Sequence, residues 1–129
     1  MNIPKNLKYT ESNEWINIEG MTGTIGISDY AQDQLSDIVF AEVIVSEGDL
    51  ITKGDAIATI ESVKAAADVY SPVSGKVISV NNELGSAPEV INSDPYGAAW
   101  IINIELSNPA DTDGLLSASA YESLIHSHE

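Results

Sequence analysis

Lys64 is the residue whose neighbours suggest chemistry. It lies between two carboxylates, Glu61 and Asp68, and is followed by Ala65, Ala66 and Ala67. Small neighbours leave its ε-amine sterically open, as a modifying enzyme requires. The residues alone leave a competing reading, since an isolated lysine is ordinarily a solvated surface group. Other chemistry is scarce. There is no cysteine, which excludes disulfides, thiolate nucleophiles and cysteine-ligated metals. No Gly-rich phosphate loop and no G-x-S-x-G elbow occurs. The two histidines, His126 and His128, stand two apart at the C-terminus without further ligands beside them. Most carboxylates lack a histidine partner or a metal-ligand spacing and read as solvated surface. A chain so poorly equipped for catalysis points to a carrier or an adaptor that is not itself an enzyme, with no metal.

Charge narrows the partners. Five lysines (Lys5, Lys8, Lys53, Lys64, Lys76) face 20 Asp plus Glu, for a formal charge of −15. That field repels polyanions, so nucleic acid and anionic membrane surfaces are disfavoured and basic protein partners favoured. A length of 129 residues with 43% hydrophobic residues predicts one globular domain over 1–129. Its core spans about 7–124, with a frayed tail at 125–129. The longest apolar run, Ala98 to Ile102, is far short of the ~20 residues of a membrane helix. Met1 to Asn6 has neither a signal-peptide core nor an Arg-rich transit pattern, which predicts a cytoplasmic chain of bacterial type.

The elements that must position Lys64 are mainly strands. Ile16 and Ile18 alternate with Asn17 and Glu19, Gly20-Met21 turns the chain, and Thr22 to Ile27 returns as a β-branched run. Ile38 to Ala41 and Val43 to Val45 read as one long, heavily buried strand. Ile57 to Ile60, Lys76 to Val80 and Trp100 to Leu106 read as further strands. Gly48-Asp49-Leu50-Ile51 and Gly54-Asp55-Ala56-Ile57 echo one another and read as two similar turns. Closely spaced strands with such turns predict a small barrel or sandwich. Helices are peripheral: one capped by Ser28 or Asp29 and running to Leu35, one starting at Asn108-Pro109, and one from a Ser119/Glu122 capping box. Local propensity would place Lys64 to Ala67 in a helix, with no Gly or Pro to mark a turn.

The run Glu61-Ser62-Val63-Lys64-Ala65, followed by Asp68-Val69-Tyr70-Ser71-Pro72-Val73-Ser74-Gly75, resembles the lipoyl-attachment region of the glycine cleavage system H proteins. Tyr9 to Trp15 resembles that family's opening motif. Gly26 to Gln32 with Asp37-Ile38-Val39-Phe40 resembles its next block, and Asn92 to Gly97 with Trp100 its late loop. The motifs run co-linearly from about Leu7 to Leu124. The departures are Asn13 where His is usual, Ser36 for a helix-ending Gly, Ala67 for Ser, and Ala98-Ala99 for Glu-Gly.

The resemblance implies a mainly β fold, a barrel-sandwich hybrid of the lipoyl/biotinyl-carrier type with short peripheral helices, C-terminal ones included. It implies lipoate in amide linkage on Lys64, at an exposed turn, with Glu61, Ser62, Val63 and Ala65 as the cofactor-binding residues around it. It implies a monomeric shuttle. The aminomethyl group of glycine passes from the pyridoxal-phosphate glycine decarboxylase (P protein) to the tetrahydrofolate-dependent aminomethyltransferase (T protein). Dihydrolipoamide dehydrogenase (L protein) reoxidises the arm, and lipoate-attaching enzymes load it. Ser12, Glu14 and Asp68 are the candidates for a polar pocket sheltering the loaded arm. The alternatives are an H-like lipoyl relay for lipoate transfer, a biotin carrier and an unmodified acidic adaptor. Val63 and Ala65 flank Lys64 where biotin carriers usually have methionines, which argues against biotin.

Overall fold

The structure is a computed structural model, and it describes residues 2–127. Among the described residues, nine strands are distributed over two sheets. They are β1 (Lys8–Tyr9), β2 (Glu14–Glu19), β3 (Thr22–Ile27), β4 (Ile38–Val43), β5 (Leu50–Ile51), β6 (Ala56–Ser62), β7 (Ala66–Tyr70), β8 (Gly75–Val80) and β9 (Ile102–Leu106). A six-stranded sheet has the order β1-β2-β3-β9-β8-β5 and a three-stranded sheet the order β4-β6-β7. Every pairing is antiparallel, and the two sheets do not join into a closed barrel. This is the expected mainly β, two-sheet architecture with short helices at its edge.

The core lies between the sheets and is built from β-branched residues. Ile16, Ile25, Ile57, Ile60, Ile101, Ile102 and Ile104 are fully enclosed. Isoleucine suits the pleated, buried surface that the alternating runs provide. A second apolar cluster gathers Leu7, Tyr9, Trp15, Ala118, Tyr121 and Ile125 beneath the C-terminal helix. The β2–β3 hairpin turns at Gly20, whose φ of 64° is in the left-handed region. The two Gly-Asp turns are near copies. Gly48 and Gly54 have φ of 93° and 94°, and Asp49 and Asp55 each accept a 2.8 Å bond from the backbone N–H three residues earlier.

Helices α1 (Asp29–Leu35), α2 (Val90–Ser93) and α3 (Ala118–His126) stand outside the sheets, with 3-10 turns at Asn82–Gly85 and Pro109–Gly114. Ser28 caps α1 and Asn108 caps the Pro109 turn, as the sequence signals predict. Three expectations change. The cap of α3 is Ser117, which accepts from the Ala120 N–H, so Ser119 lies inside the helix. The cap is set by where Leu116 bridges to Tyr9, a tertiary pairing. The tail does not fray from 125, because Ile125 is buried in the second cluster and His126 still belongs to α3. His126 is exposed and His128 lies outside the described residues. The strand at 38–45 is neither continuous nor heavily buried. It ends at Val43, and a register irregularity between Ile38 and Phe40 turns both Val39 and Phe40 outward. No described helix is long and apolar enough to cross a membrane.

Candidate functional site

Lys64 sits at the tip of the β6–β7 hairpin. Glu61 pairs with Ala66, Ile60 with Ala67, and Thr59 with Asp68. Strand pairing thus overrides the helical preference of the alanine run, because β7 completes the ladder of β6 and buries Val69. Ser62 explains how the turn forms without Gly or Pro. Its N–H donates to Ala65 O at 2.7 Å. Its Oγ donates to the same oxygen at 3.1 Å and accepts from the Lys64 N–H at 3.2 Å and the Ala65 N–H at 3.0 Å. One hydroxyl satisfies the backbone that a glycine turn would leave to water. The tip is tied to the rest of the protein by Val63, whose N–H donates to Asp37 O at 3.0 Å. Val63, Lys64 and Ala65 are exposed. The Glu61 carboxylate is exposed beside Phe40, its partner across β4–β6. Val39, 58% exposed, and Val63, 66% exposed, give the surroundings of Lys64 an apolar component that the sequence reading does not anticipate.

Ser12 and Glu14 come together at the β1–β2 loop. Glu14 is only 2% exposed. Its Oε1 accepts from the Thr10 hydroxyl at 2.5 Å and the Ser12 hydroxyl at 2.6 Å, and its Oε2 from the Tyr70 N–H at 3.2 Å. Three donors explain why a carboxylate is tolerated in a site closed to solvent. Thr10 is the member that the sequence reading misses. Its spacing, Thr10-x-Ser12-x-Glu14, was the available signal. Asp68 is not joined to this group. It is exposed on β7, and its hydrogen bond is from the Thr59 hydroxyl at 3.3 Å. It stands midway along β7 between the Lys64 turn and Tyr70, the residue that contacts Glu14. From Ala66 to Tyr70 the strand spans roughly 13 Å. Thr10 and Ser12 also line an open groove of about 480 Å³ with Lys53, Pro72, Leu115 and Leu116.

The loop carrying Ser12 and Glu14 is braced from behind. Asn13 has a φ of 76°, which asparagine tolerates better than most residues. Its Oδ1 accepts from the Tyr121 hydroxyl of α3 at 2.8 Å, and Ser28 Oγ lies 2.6 Å from the same phenol oxygen. Tyr121 stacks on Tyr9, with ring centroids 4.6 Å apart. Burial pushes the Tyr121 phenol up to about 12, against a smaller lowering by its bond to Ser28. Burial raises Tyr9 as well.

The glycine cleavage H-protein family model matches residues 7–128. A glycine cleavage system H protein of Carboxydothermus hydrogenoformans is 51% identical over 123 residues, covering 95% of this chain and 94% of that one. That of Acidobacterium capsulatum is 53% identical over 125 residues, covering 97% and 95%. The crystal structure of a glycine cleavage system H protein from Mycobacterium marinum superposes with a TM-score of 0.86 at 31% identity, covering 96% of this chain and 99% of that one.

Proposed function

The chain belongs to the glycine cleavage H-protein family, and on that premise we propose that Lys64 is its one acylated lysine, bearing lipoate in amide linkage. The observation that carries this reading is the exposed Lys64 at the tip of a turn whose backbone Ser62 holds internally. The amine projects from a shaped, accessible peptide, with Ala65 and Ala66 leaving room beside it. Lys53 lies beside the turn glycine Gly54, Lys76 lies within β8 between β5 and β9, and Lys5 and Lys8 lie near the N-terminus.

When bound, lipoate would supply the redox sulfurs that a chain without cysteine lacks, and Lys64 would hold it for P protein, T protein and L protein in turn. This chain's residues do the rest. The turn presents Lys64 to the lipoate-attaching enzyme and then to each partner, and the tether raises effective concentration. The reacting groups come from the cofactor and the partner enzymes, so the chain is a carrier without catalytic residues of its own. Glu14, with Ser12 and Thr10, offers carboxylate and hydroxyl oxygens to the protonated amine of the cargo. The groove lined by Thr10, Ser12, Leu115 and Leu116 gives the apolar part of the arm a place to lie. Asp68 flanks the path along β7 between the two.

Intact mass tests the attachment. After expression with a lipoate ligase, the parent protein gains one lipoyl increment and Lys64→Arg gains none. Lipoylation retained in Lys64→Arg overturns the assignment.

A further inference from the structure

Ser36 and Asn92 lie on neither of the surfaces that the proposed function uses, yet they lead to one of them. Ser36 ends α1 with φ 68° and ψ −152°, a region of backbone space that is essentially glycine's. Non-glycine residues stay in such conformations only where their surroundings over-determine them. Here the Ser36 N–H still donates to Gln32 O at 3.0 Å, and one side chain holds the carbonyl beyond it. The Asn92 amide, on α2, donates to Ser36 O and to Gln32 Oε1, both at 2.9 Å. Its Oδ1 accepts from the Ile38 N–H at 2.9 Å. Both N–H groups of the amide are therefore used, and the backbone on each side of Asp37 is clamped. Asp37 O is the acceptor for the Val63 N–H, the bond that ties the tip of the Lys64 turn to a segment outside its own hairpin.

We infer that Asn92 is a positioning residue for acylation: by clamping Ser36 and Ile38 it holds Asp37 O under the Lys64 turn, so that the acceptor peptide is already ordered when the acylating enzyme docks. Released from the clamp, Ser36 relaxes toward the ordinary helical or extended regions and carries Asp37 O away from Val63. The turn keeps its internal Ser62 bonds but loses its outside anchor. An enzyme must then order the tip on binding, and that ordering weakens affinity. The defect belongs to docking of the protein acceptor, not to the chemical step.

The inference rests on Lys64 being the acylated residue, and two measurements separate the claims. The first, which involves no lipoate, is amide hydrogen exchange on the unmodified protein. Asn92→Ala is expected to speed exchange at Val63 at least tenfold more than at Ile60 or Val69 in the adjoining strands. Tyr121→Phe, which removes hydrogen bonds at Asn13 and at the N-cap of α1 but none to Ser36, Asp37 or Ile38, should leave that ratio unchanged. The second is steady-state lipoylation by a lipoate ligase. Asn92→Ala is expected to raise the KM for the protein acceptor roughly tenfold with kcat preserved. Ser36→Gly added to Asn92→Ala should recover most of the loss, because glycine adopts the corner conformation without a clamp. If Asn92→Ala alone folds poorly, the Ser36→Gly/Asn92→Ala pair is compared with Ser36→Gly, and a residual Val63 effect is still expected. Equal acceleration at Val63 and Ile60, or an unchanged KM, overturns the inference. Failure of the parent to gain a lipoyl increment overturns the lipoyl assignment instead and leaves the exchange result standing.

Discussion

Glu14→Gln separates charge from shape at the proposed arm pocket. In the parent, Oε1 accepts two hydroxyl donors and Oε2 one backbone N–H. Glutamine keeps an oxygen for the Tyr70 N–H and presents its amide NH₂ to the two hydroxyls, which can rotate. Thr10 Oγ1 already accepts from the Glu14 N–H at 3.0 Å, so the new arrangement is crowded. Exchanging charge-assisted bonds for neutral ones should cost about 1–3 kcal/mol, within the roughly 5–15 kcal/mol of an ordinary domain. The variant should therefore fold. A hydrogen bond between the sheltered amine of the cargo and a carboxylate is worth about 1.5–3 kcal/mol, and its loss shortens the life of the adduct roughly 10- to 150-fold. The assay loads the isolated protein, removes the decarboxylase, and follows release of ammonia and formaldehyde. Lipoylation of Lys64 should be unchanged, because the bonds that shape its turn do not include Glu14. An adduct that survives as long in Glu14→Gln as in the parent, with the fold intact and Lys64 fully lipoylated, refutes the counter-ion role. Glu14→Ala should behave like Glu14→Gln in that assay and be the less stable of the two, since it leaves the Tyr70 N–H unpaired.

Two further outcomes follow from the backbone and from the tyrosines. Ser36→Gly relieves roughly 1–3 kcal/mol of strain and loses about 0.5–1 kcal/mol to the freer unfolded chain, so its urea midpoint should rise with an unchanged m value. A lower midpoint would show that Ser36 is not strained. The Tyr121 phenol, raised from 10.0 to about 12, keeps its proton in the folded state where the unfolded chain releases it. Stability is therefore whole below pH 10 and falls between pH 10 and 12, with a limiting slope near 1.4 kcal/mol per pH unit for this group. Urea midpoints across that range should fall less steeply in Tyr121→Phe than in the parent, and equal slopes would refute the assignment.

What the sequence determined by itself was whatever depends on near neighbours. The β2–β3 hairpin was legible because alternation and Gly20 act over two to six residues. The paired Gly-Asp turns and the caps at Ser28 and Asn108 were legible for the same reason. The charge and the absence of cysteine removed whole classes of chemistry. Lys64 was singled out by its neighbours, but its turn was not, because the local preference of Lys64 to Ala67 is helical and pairing with β6 decides otherwise. The outward pair Val39 and Phe40 depends on a register irregularity that no alternation pattern displays. Ser117 replaced Ser119 as a cap because the start of α3 is set by Leu116 meeting Tyr9, far away in sequence. Ser12 and Glu14 were found together, but Thr10 completed the group, and Asp68 proved to be bonded elsewhere on its own sheet. Asn92 was seen only as part of a motif. That it reaches 56 residues back to clamp Ser36, and through Asp37 the Lys64 turn, was decided by tertiary structure alone, because a hydrogen bond between distant segments leaves no periodicity in either.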